Sequence, residues 1–143
     1  MKYLAIIAAG LSGVFMALQG VFNSELSEKV GLFKGNFYIH LIALTLALVL
    51  LLAFPHPVSR EKPKLLDFLG GVLAPAIIVL VAYGIAQSGA FKATIAIVSA
   101  QTLTAAVVDI LGLFGVERKT LGYPEIIGAI LMVIGVYLVL RSR

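Results

Sequence analysis

The sequence predicts an all-α integral membrane protein with five transmembrane helices. Of its 143 residues, 61% are hydrophobic and only 13% are charged, and the mean hydropathy is +1.08. A soluble domain of this length needs a much larger polar surface, so lipid is the solvent for most of the molecule. The chain also contains five apolar segments that approach the roughly 20 residues needed to cross about 30 Å of hydrocarbon.

The five segments are predicted to be helices in a single transmembrane domain. In hydrocarbon every backbone N–H and C=O must be bonded within the segment, and none of these runs alternates like a barrel strand. Proline supports two boundaries: the longest polar loop is "FPHPVSREKPK" (Phe54–Lys64), and Pro124 suits a first helical turn. Pro75 instead falls inside the third segment, where we expect it to bend the helix. The domain covers residues 1–143, with helices at about 3–22, 36–54, 69–88, 92–114 and 123–140.

Composition and motifs argue against an enzyme, a cofactor and a metal site. The chain has no cysteine, and His40 and His56 are 16 residues apart, without the spacing of a metal-binding motif. It has no G-x-x-x-x-G-K-[ST] phosphate loop, no H-E-x-x-H and no Ser/His/Asp set. The basic residues lie in short connections between apolar runs, which suits lipid headgroups better than nucleic acid.

The Lys and Arg residues are divided almost equally between the two sides of the membrane, so they do not predict one orientation. With five spans, the basic residues on one side are Lys2, Arg60, Lys62, Lys64, Arg118 and Lys119, and those on the other are Lys29, Lys34, Lys92, Arg141 and Arg143. Orientation normally follows an excess of Lys and Arg on the cytoplasmic side. One interpretation is dual topology, in which copies insert both ways and pair as an antiparallel, ten-helix homodimer that supplies the inverted repeat of a secondary transporter. The alternative is one orientation set by other cues, in a monomer or a parallel oligomer.

Asp109 is the only acidic residue well inside a predicted span. A rise of about 1.5 Å per residue places it roughly 9 Å from the middle of the fourth helix. An ionisable group at a helix centre costs roughly 2.5 to 3.5 kcal/mol on insertion scales and usually marks a functional site. Burial favours the protonated form of a carboxylic acid, so Asp109 is predicted to exchange a proton or to bind a cation. The alternative is a structural role, in which Asp109 pairs with Arg118 or Lys119 or bonds a neighbouring helix.

Two polar sectors accompany Asp109, one on the fourth predicted helix and one on the first. The fourth-helix sector lies near the midplane, where transporter sites usually lie, and Thr102 shares a face with Asp109. The first-helix sector is about 40° wide, and in an antiparallel dimer Gln19 would lie near the level of the other copy's Asp109. Hydrogen bonding between helices is the open alternative. The predicted substrate- or proton-binding residues are Asp109, Gln101, Thr102, Gln19, Asn23 and Ser12.

Three sequence blocks carry a family signature. They are "ALQGVFNSEL" closing the first helix, the Gly70–Gly71 pair opening the third, and "AQTLTAAVVDILGLFG" in the fourth. With a Gln and an Asn in the first block, and a Gln followed by an Asp and a glycine-rich turn in the last, the chain resembles the YdcZ-type family of small five-span proteins in the drug/metabolite transporter superfamily. The matching positions are Gln19, Asn23, Gln101, Asp109, Gly112 and Gly115.

The resemblance covers essentially the whole chain and implies a small transporter, of exporter type, in the prokaryotic inner membrane. Together with the polar residues, it predicts a secondary-active exporter of a small polar or cationic metabolite or drug. Transport would be proton- or ion-coupled, by alternating access in an antiparallel homodimer. Two alternatives stay open: a passive dual-topology channel lined by the same polar residues, and a non-transporting or heterodimeric membrane assembly subunit.

Overall fold

The protein is all-helical wherever its structure is described. The computed structural model describes residues 2–54 and 62–142, and none of these residues is in a strand. The long helices are α1 (Lys2–Val30), α2 (Leu32–Ala53), α3 (Leu69–Ser88), α4 (Ala90–Leu111) and α5 (Tyr123–Arg141), with short 3-10 turns at Leu65–Phe68 and Leu113–Gly115. All five are long and apolar enough to cross a membrane, which confirms the predicted helical class and the number of spans. His56, Arg60 and Arg143 lie outside the described residues.

The helices do not end where the apolar runs end. The first helix continues to Val30, so its 29 residues extend about 43 Å, longer than the hydrocarbon layer. An ion pair one helical turn apart, between Lys29 and Glu25 at 3.5 Å, lies in this polar extension. The fourth helix ends earlier than predicted, at Leu111, because Gly112 adopts the left-handed conformation (φ 64°, ψ 41°). Asp109 therefore lies in the last turn of α4, about 13 Å along the axis from the middle of the helix.

Two connections between helices consist of a single glycine. Gly31 joins α1 to α2 with φ 91° and ψ 146°, and Gly89 precedes α4 with φ 80° and ψ 157°. This region of backbone space is essentially restricted to glycine, because a Cβ atom would collide with the adjoining peptide. Both glycines begin the sequence Gly-x-Phe-Lys, which is followed by a small buried residue, Gly35 or Ala93. The sequence analysis overlooked this short local repeat.

The described residues form two compact units, one up to Gln87 and the other from Ser88. In the first unit, α1 and α2 form a hairpin that turns at Gly31 and packs close to this turn. At Gly35, a Cβ atom would lie 3.0 Å from the Ser27 Oγ and 3.2 Å from the Ser27 Cα. Because the Ser27 Cα belongs to the backbone, this contact admits no larger residue without separation of the helices.

The third helix packs against the C-terminal half of α1 in the same unit. A Cβ atom at Gly20 would lie 2.8 Å from the Ile85 Cδ1, and the Ser24 hydroxyl donates a 3.2 Å hydrogen bond to the Ala82 carbonyl. Small residues at such contacts allow backbones to approach closely where lipid provides no hydrophobic driving force between helices. The helix α3 runs without interruption through Pro75.

The second unit consists of α4, the following 3-10 turn and α5. Its two long helices pack along a seam with an open depression of about 400 Å³, lined mostly by apolar residues such as Ile95, Met132 and Val136. At one end of the seam, the Lys92 ammonium donates a 2.6 Å hydrogen bond to the carbonyl of Ser142. A cation at the C-terminus of a helix is favourable because it opposes the negative end of the helix dipole.

Most large apolar side chains of the described chain are exposed. Ala82, Ile85 and Ala93 are its buried hydrophobic residues, whereas residues 41–53 are exposed throughout. In water such a surface would drive association. In a bilayer, lipid tails solvate it, and close burial is needed only where helices meet. The Leu-rich stretch of α2 is therefore chemically suited to contact with lipid.

Candidate functional site

One side of α4 carries an open, mostly apolar groove whose lining includes three polar residues. The groove has a volume of about 500 Å³, and its residues recur every three to four positions along the helix, as residues on one helical face do. Gln101 is in the middle of α4 and Asp109 near its end, so about 12 Å of helix separates them. The lining residues are Ala100, Gln101, Thr104, Ala105, Val108 and Asp109.

The groove contains one threonine that the sequence analysis did not single out. Thr104 lines it between Gln101 and Asp109, whereas Thr102 is not among the lining residues. The Thr102 hydroxyl donates a 2.8 Å hydrogen bond to the carbonyl of Val98 in its own helix. The signal that was available is the position of Thr104 three residues after Gln101, one turn along the same face.

The end of α4 is held by the chain that follows it. The N–H of Gly112 donates to the Val108 carbonyl at 2.9 Å, and the N–H of Lys119 donates to the Asp109 carbonyl at 2.8 Å. In addition, Nε of Arg118 donates to the Ile110 carbonyl at 2.9 Å. Three carbonyls that a helix end would leave unbonded therefore have partners.

The Asp109 carboxylate is half-buried and forms no ion pair with Arg118 or Lys119 within residues 2–54 and 62–142. Instead, both basic residues bond backbone carbonyls at the end of α4: Lys119 through its backbone N–H and Arg118 through its Nε. Asp109 is one of the residues that line the groove.

The first-helix candidates belong to the other unit and have different environments. Ser12 and Gln19 are exposed, and the Ser12 hydroxyl donates to the Ala9 carbonyl at 2.7 Å. Asn23 is buried, with only 8% of its surface exposed. The polar sector of the first helix therefore divides into an exposed part, Ser12 and Gln19, and a buried part, Asn23.

A further polar cluster lies within the α1–α2 hairpin. We define the hairpin cluster as Ser27 of α1 with Asn36 and His40 of α2. The His40 ring bonds the Asn36 carbonyl through Nδ1 at 2.9 Å. Sequence analysis considered His40 only as part of a metal-binding motif, although the four-residue spacing of Asn36 and His40 on one helix was a usable signal. No group of His, Cys, Asp or Glu in the described parts of the chain is arranged to hold a metal ion.

Comparison with known proteins identifies the family. The model of the family described as "Putative inner membrane exporter, YdcZ" matches residues 4–138, a range that includes all of the candidate residues. No curated protein and no solved structure matches the chain significantly. The family is one of membrane exporters rather than enzymes, and the five spanning helices agree with a multi-pass protein of the inner membrane. The chain belongs to the YdcZ family of inner-membrane exporters.

Proposed function

We propose that the chain is a secondary-active exporter in which the α4 groove binds a small polar or cationic substrate. The observation that supports this most directly is the groove itself. The amide of Gln101, the hydroxyl of Thr104 and the Asp109 carboxylate, which forms no ion pair within the described residues, belong to residues that line an open, mostly apolar groove over about half the circumference of α4. Polar groups facing lipid are costly, so this face is suited to a water-filled cavity or to another protein surface.

In this proposal Asp109 exchanges a proton or binds the cationic group of the substrate. Because a proton and a cation compete for the same carboxylate, binding of one favours release of the other, which couples their movements. Gln101 and Thr104 offer hydrogen bonds about 12 and 8 Å along the helix from Asp109. Thr102, Ser12, Gln19 and Asn23 remain proposed cavity residues, with Gln19 supplied by a second copy.

The proposed second copy is inverted and packs against α1. Residues 3–16 of α1 are all exposed, and Gly10 and Gly13 have no heavy atom within 4 Å of a built Cβ position. Small residues on a bare face of a membrane helix suit close packing against another helix. The nearly equal numbers of basic residues in alternate connections also allow both orientations.

Crosslinking tests the inverted arrangement, and the absence of native cysteine makes the background clean. Two tagged copies carrying Gln19→Cys and Asp109→Cys should crosslink to each other, because inversion brings these positions to one level. Ala5→Cys is the matched control. Ala5 lies about 14 residues before Gln19 on nearly the same face of α1, and in a parallel pair of copies it would lie at the level of Asp109. Crosslinking of Asp109→Cys with Ala5→Cys, and not with Gln19→Cys, would refute the antiparallel dimer.

Transport in proteoliposomes tests the role of Asp109. Purified protein is reconstituted with an entrapped pH dye, a pH gradient is imposed, and a panel of organic cations and neutral polar metabolites is screened for compounds that collapse it. Asp109→Asn should abolish coupled flux while assembly is retained. The exposed loop variant Glu117→Gln, which also removes one carboxylate, should transport normally. Coupled flux that persists in Asp109→Asn would reject the assignment. A passive channel would be indicated by flux that does not saturate and that runs only down the gradient of the transported compound.

A further inference from the structure

The open depression along the seam of α4 and α5 is an elongated, mostly apolar groove. We call it the seam groove; it lies between residues 94–99 of α4 and 132–139 of α5, and its volume is about 400 Å³. The stretch of α5 from Met132 to Val139 covers about 10 Å of helix, so the groove runs along the axis. It shares no lining residue with the α4 groove. The seam groove is therefore a second site in the same unit.

One end of the seam groove carries a positive charge. Lys92 lies three residues before Ile95 and seven before Ser99, which places it on the groove side of α4. Its ammonium reaches the end of α5, where it donates a 2.6 Å hydrogen bond to the Ser142 carbonyl. An ammonium has three N–H donors, so this bond leaves two of them for another acceptor. The groove thus ends at a cation that can bind an anion.

The acidic side chains of this unit lie at its other end. Asp109 is in the last turn of α4, Glu117 is in the connection that follows, and Glu125 is in the first turn of α5. Within the described residues 88–142, no carboxylate side chain lies at the end where Lys92 bonds Ser142, and Lys92 forms no ion pair. The charges around this end of the groove therefore favour a negatively charged ligand.

The lining of the seam groove favours a flexible apolar chain over another helix. Close packing of membrane helices uses small residues that let the backbones approach. Most of this groove is instead lined by branched or long side chains, such as Ile95, Met132 and Val136. An acyl chain can follow such an uneven surface. Basic pockets between transmembrane helices are also a recognised way of binding anionic lipid headgroups.

We propose that the seam groove binds an anionic phospholipid. One acyl chain lies in the groove, and the phosphate accepts hydrogen bonds from the Lys92 ammonium at the membrane surface. The second acyl chain remains in the surrounding bilayer. A ligand that is apolar along its length and negative at one end is complementary to a groove that is apolar along its length and positive at one end. This lipid site is separate from substrate binding, so the inference goes beyond the proposed function.

Native mass spectrometry of the full chain tests the lipid preference without a transported compound. The purified protein in detergent is titrated with phosphatidylglycerol, which has a net negative charge, and with phosphatidylcholine, which has none. Both lipids carry the same acyl chains. One basic residue near an anionic lipid changes binding about fivefold. We therefore expect phosphatidylglycerol to bind about three- to tenfold more tightly than phosphatidylcholine.

Three variants test the charge at the end of the groove. Lys92→Gln should lower the affinity for phosphatidylglycerol to that for phosphatidylcholine, whereas Lys92→Arg should retain the preference. Arg141→Gln is the matched control. Arg141 lies at the same end of α5, but it is on nearly the opposite side of the helix from Val139, and its guanidinium bonds the Tyr137 hydroxyl at 3.1 Å. This variant should therefore keep the preference for phosphatidylglycerol.

A fourth variant fills the groove and leaves the charges in place. A Cβ atom built on Gly135, which lines the groove, has no heavy atom within 4 Å, so leucine has room there. Gly135→Leu should lower the affinities for both lipids, because it displaces the acyl chain that they share. Gly128→Leu is its control: Gly128 is in the same helix and is equally unobstructed, but it does not line the groove. Both affinities should be unchanged in this control.

Equal affinities for the two lipids in the unchanged protein would overturn the inference, and this measurement needs no variant. Equal losses in Lys92→Gln and Arg141→Gln would also overturn it, because general attraction of charges would then explain the preference. A dimer that dissociates in Gly135→Leu while lipid binding persists would assign the groove to a second copy instead. No substrate is present, so none of these results depends on whether Asp109 couples transport.

Discussion

Replacement of Gly31 by alanine isolates the energetic contribution of one backbone conformation. A Cβ atom built on Gly31 has no heavy atom within 4 Å, so alanine meets no steric obstacle from the surrounding residues. The cost arises only from φ 91° and ψ 146°, which alanine rarely adopts. Holding a residue with a side chain in such a region costs about 1 to 3 kcal/mol.

The unfolded state reverses this cost in part. Alanine has fewer backbone conformations than glycine before folding, which returns about 0.4 to 1 kcal/mol. We therefore expect Gly31→Ala to lower the free energy of unfolding by about 1 to 2 kcal/mol. The matched control is Gly128→Ala, which lies inside α5 and also has an unobstructed Cβ position. There alanine is the better helix former, so the free energy of unfolding should stay the same or rise by up to about 1 kcal/mol.

The assay is equilibrium unfolding in mixed micelles, followed by far-ultraviolet circular dichroism because the chain has no tryptophan to report by fluorescence. The two substitutions should change the unfolding midpoint in different directions. Gly89→Ala should behave like Gly31→Ala, since its backbone angles are similar. Equal midpoints for Gly31→Ala and Gly128→Ala would refute the assignment of strain to this turn.

Two further substitutions test individual hydrogen bonds. Ser24→Ala removes the bond from α1 to the Ala82 carbonyl and should destabilise the protein by about 0.6 kcal/mol, the average for such bonds between membrane helices. In the same unfolding assay Thr45→Val should change little, because its hydroxyl bonds its own helix; equal effects would contradict the importance of the α1–α3 bond. Arg118→Gln removes the bond to the Ile110 carbonyl, so amide hydrogen exchange at the end of α4 should accelerate several-fold. The control Arg118→Lys keeps a positive charge near the helix end, so its exchange should accelerate less. Unchanged exchange in Arg118→Gln would show that the backbone bonds hold this end alone.

The number and class of the helices were predictable from hydropathy, because the thickness of the bilayer sets the length of an apolar span. Hydropathy marks where lipid ends and not where a helix ends. It therefore missed the polar extension of α1 and the stop at Gly112, where a left-handed glycine ends α4. The early stop moved Asp109 from a deep position to the last helical turn.

The candidate site was predictable only where one helix defines it. Helical periodicity places Gln101 and Thr102 within about 80° and 20° of Asp109 around α4, so it indicated a common polar sector, but the groove contains Gln101 and not Thr102. The burial of Asn23 depends on packing between helices, and periodicity does not say which face a neighbour covers. The same limit applies to the His40 ring, whose Nε2 is buried without a hydrogen-bond partner in the described chain.

The single-residue turn at Gly31 also constrains how the protein is made. With one residue between α1 and α2, the ribosome delivers two apolar segments whose facing ends cannot move apart. When both helices span the bilayer, Lys29 and Lys34, which lie on either side of the turn, are therefore held at the same membrane surface. The orientation of α1 then fixes that of α2, so the two helices cannot be oriented independently.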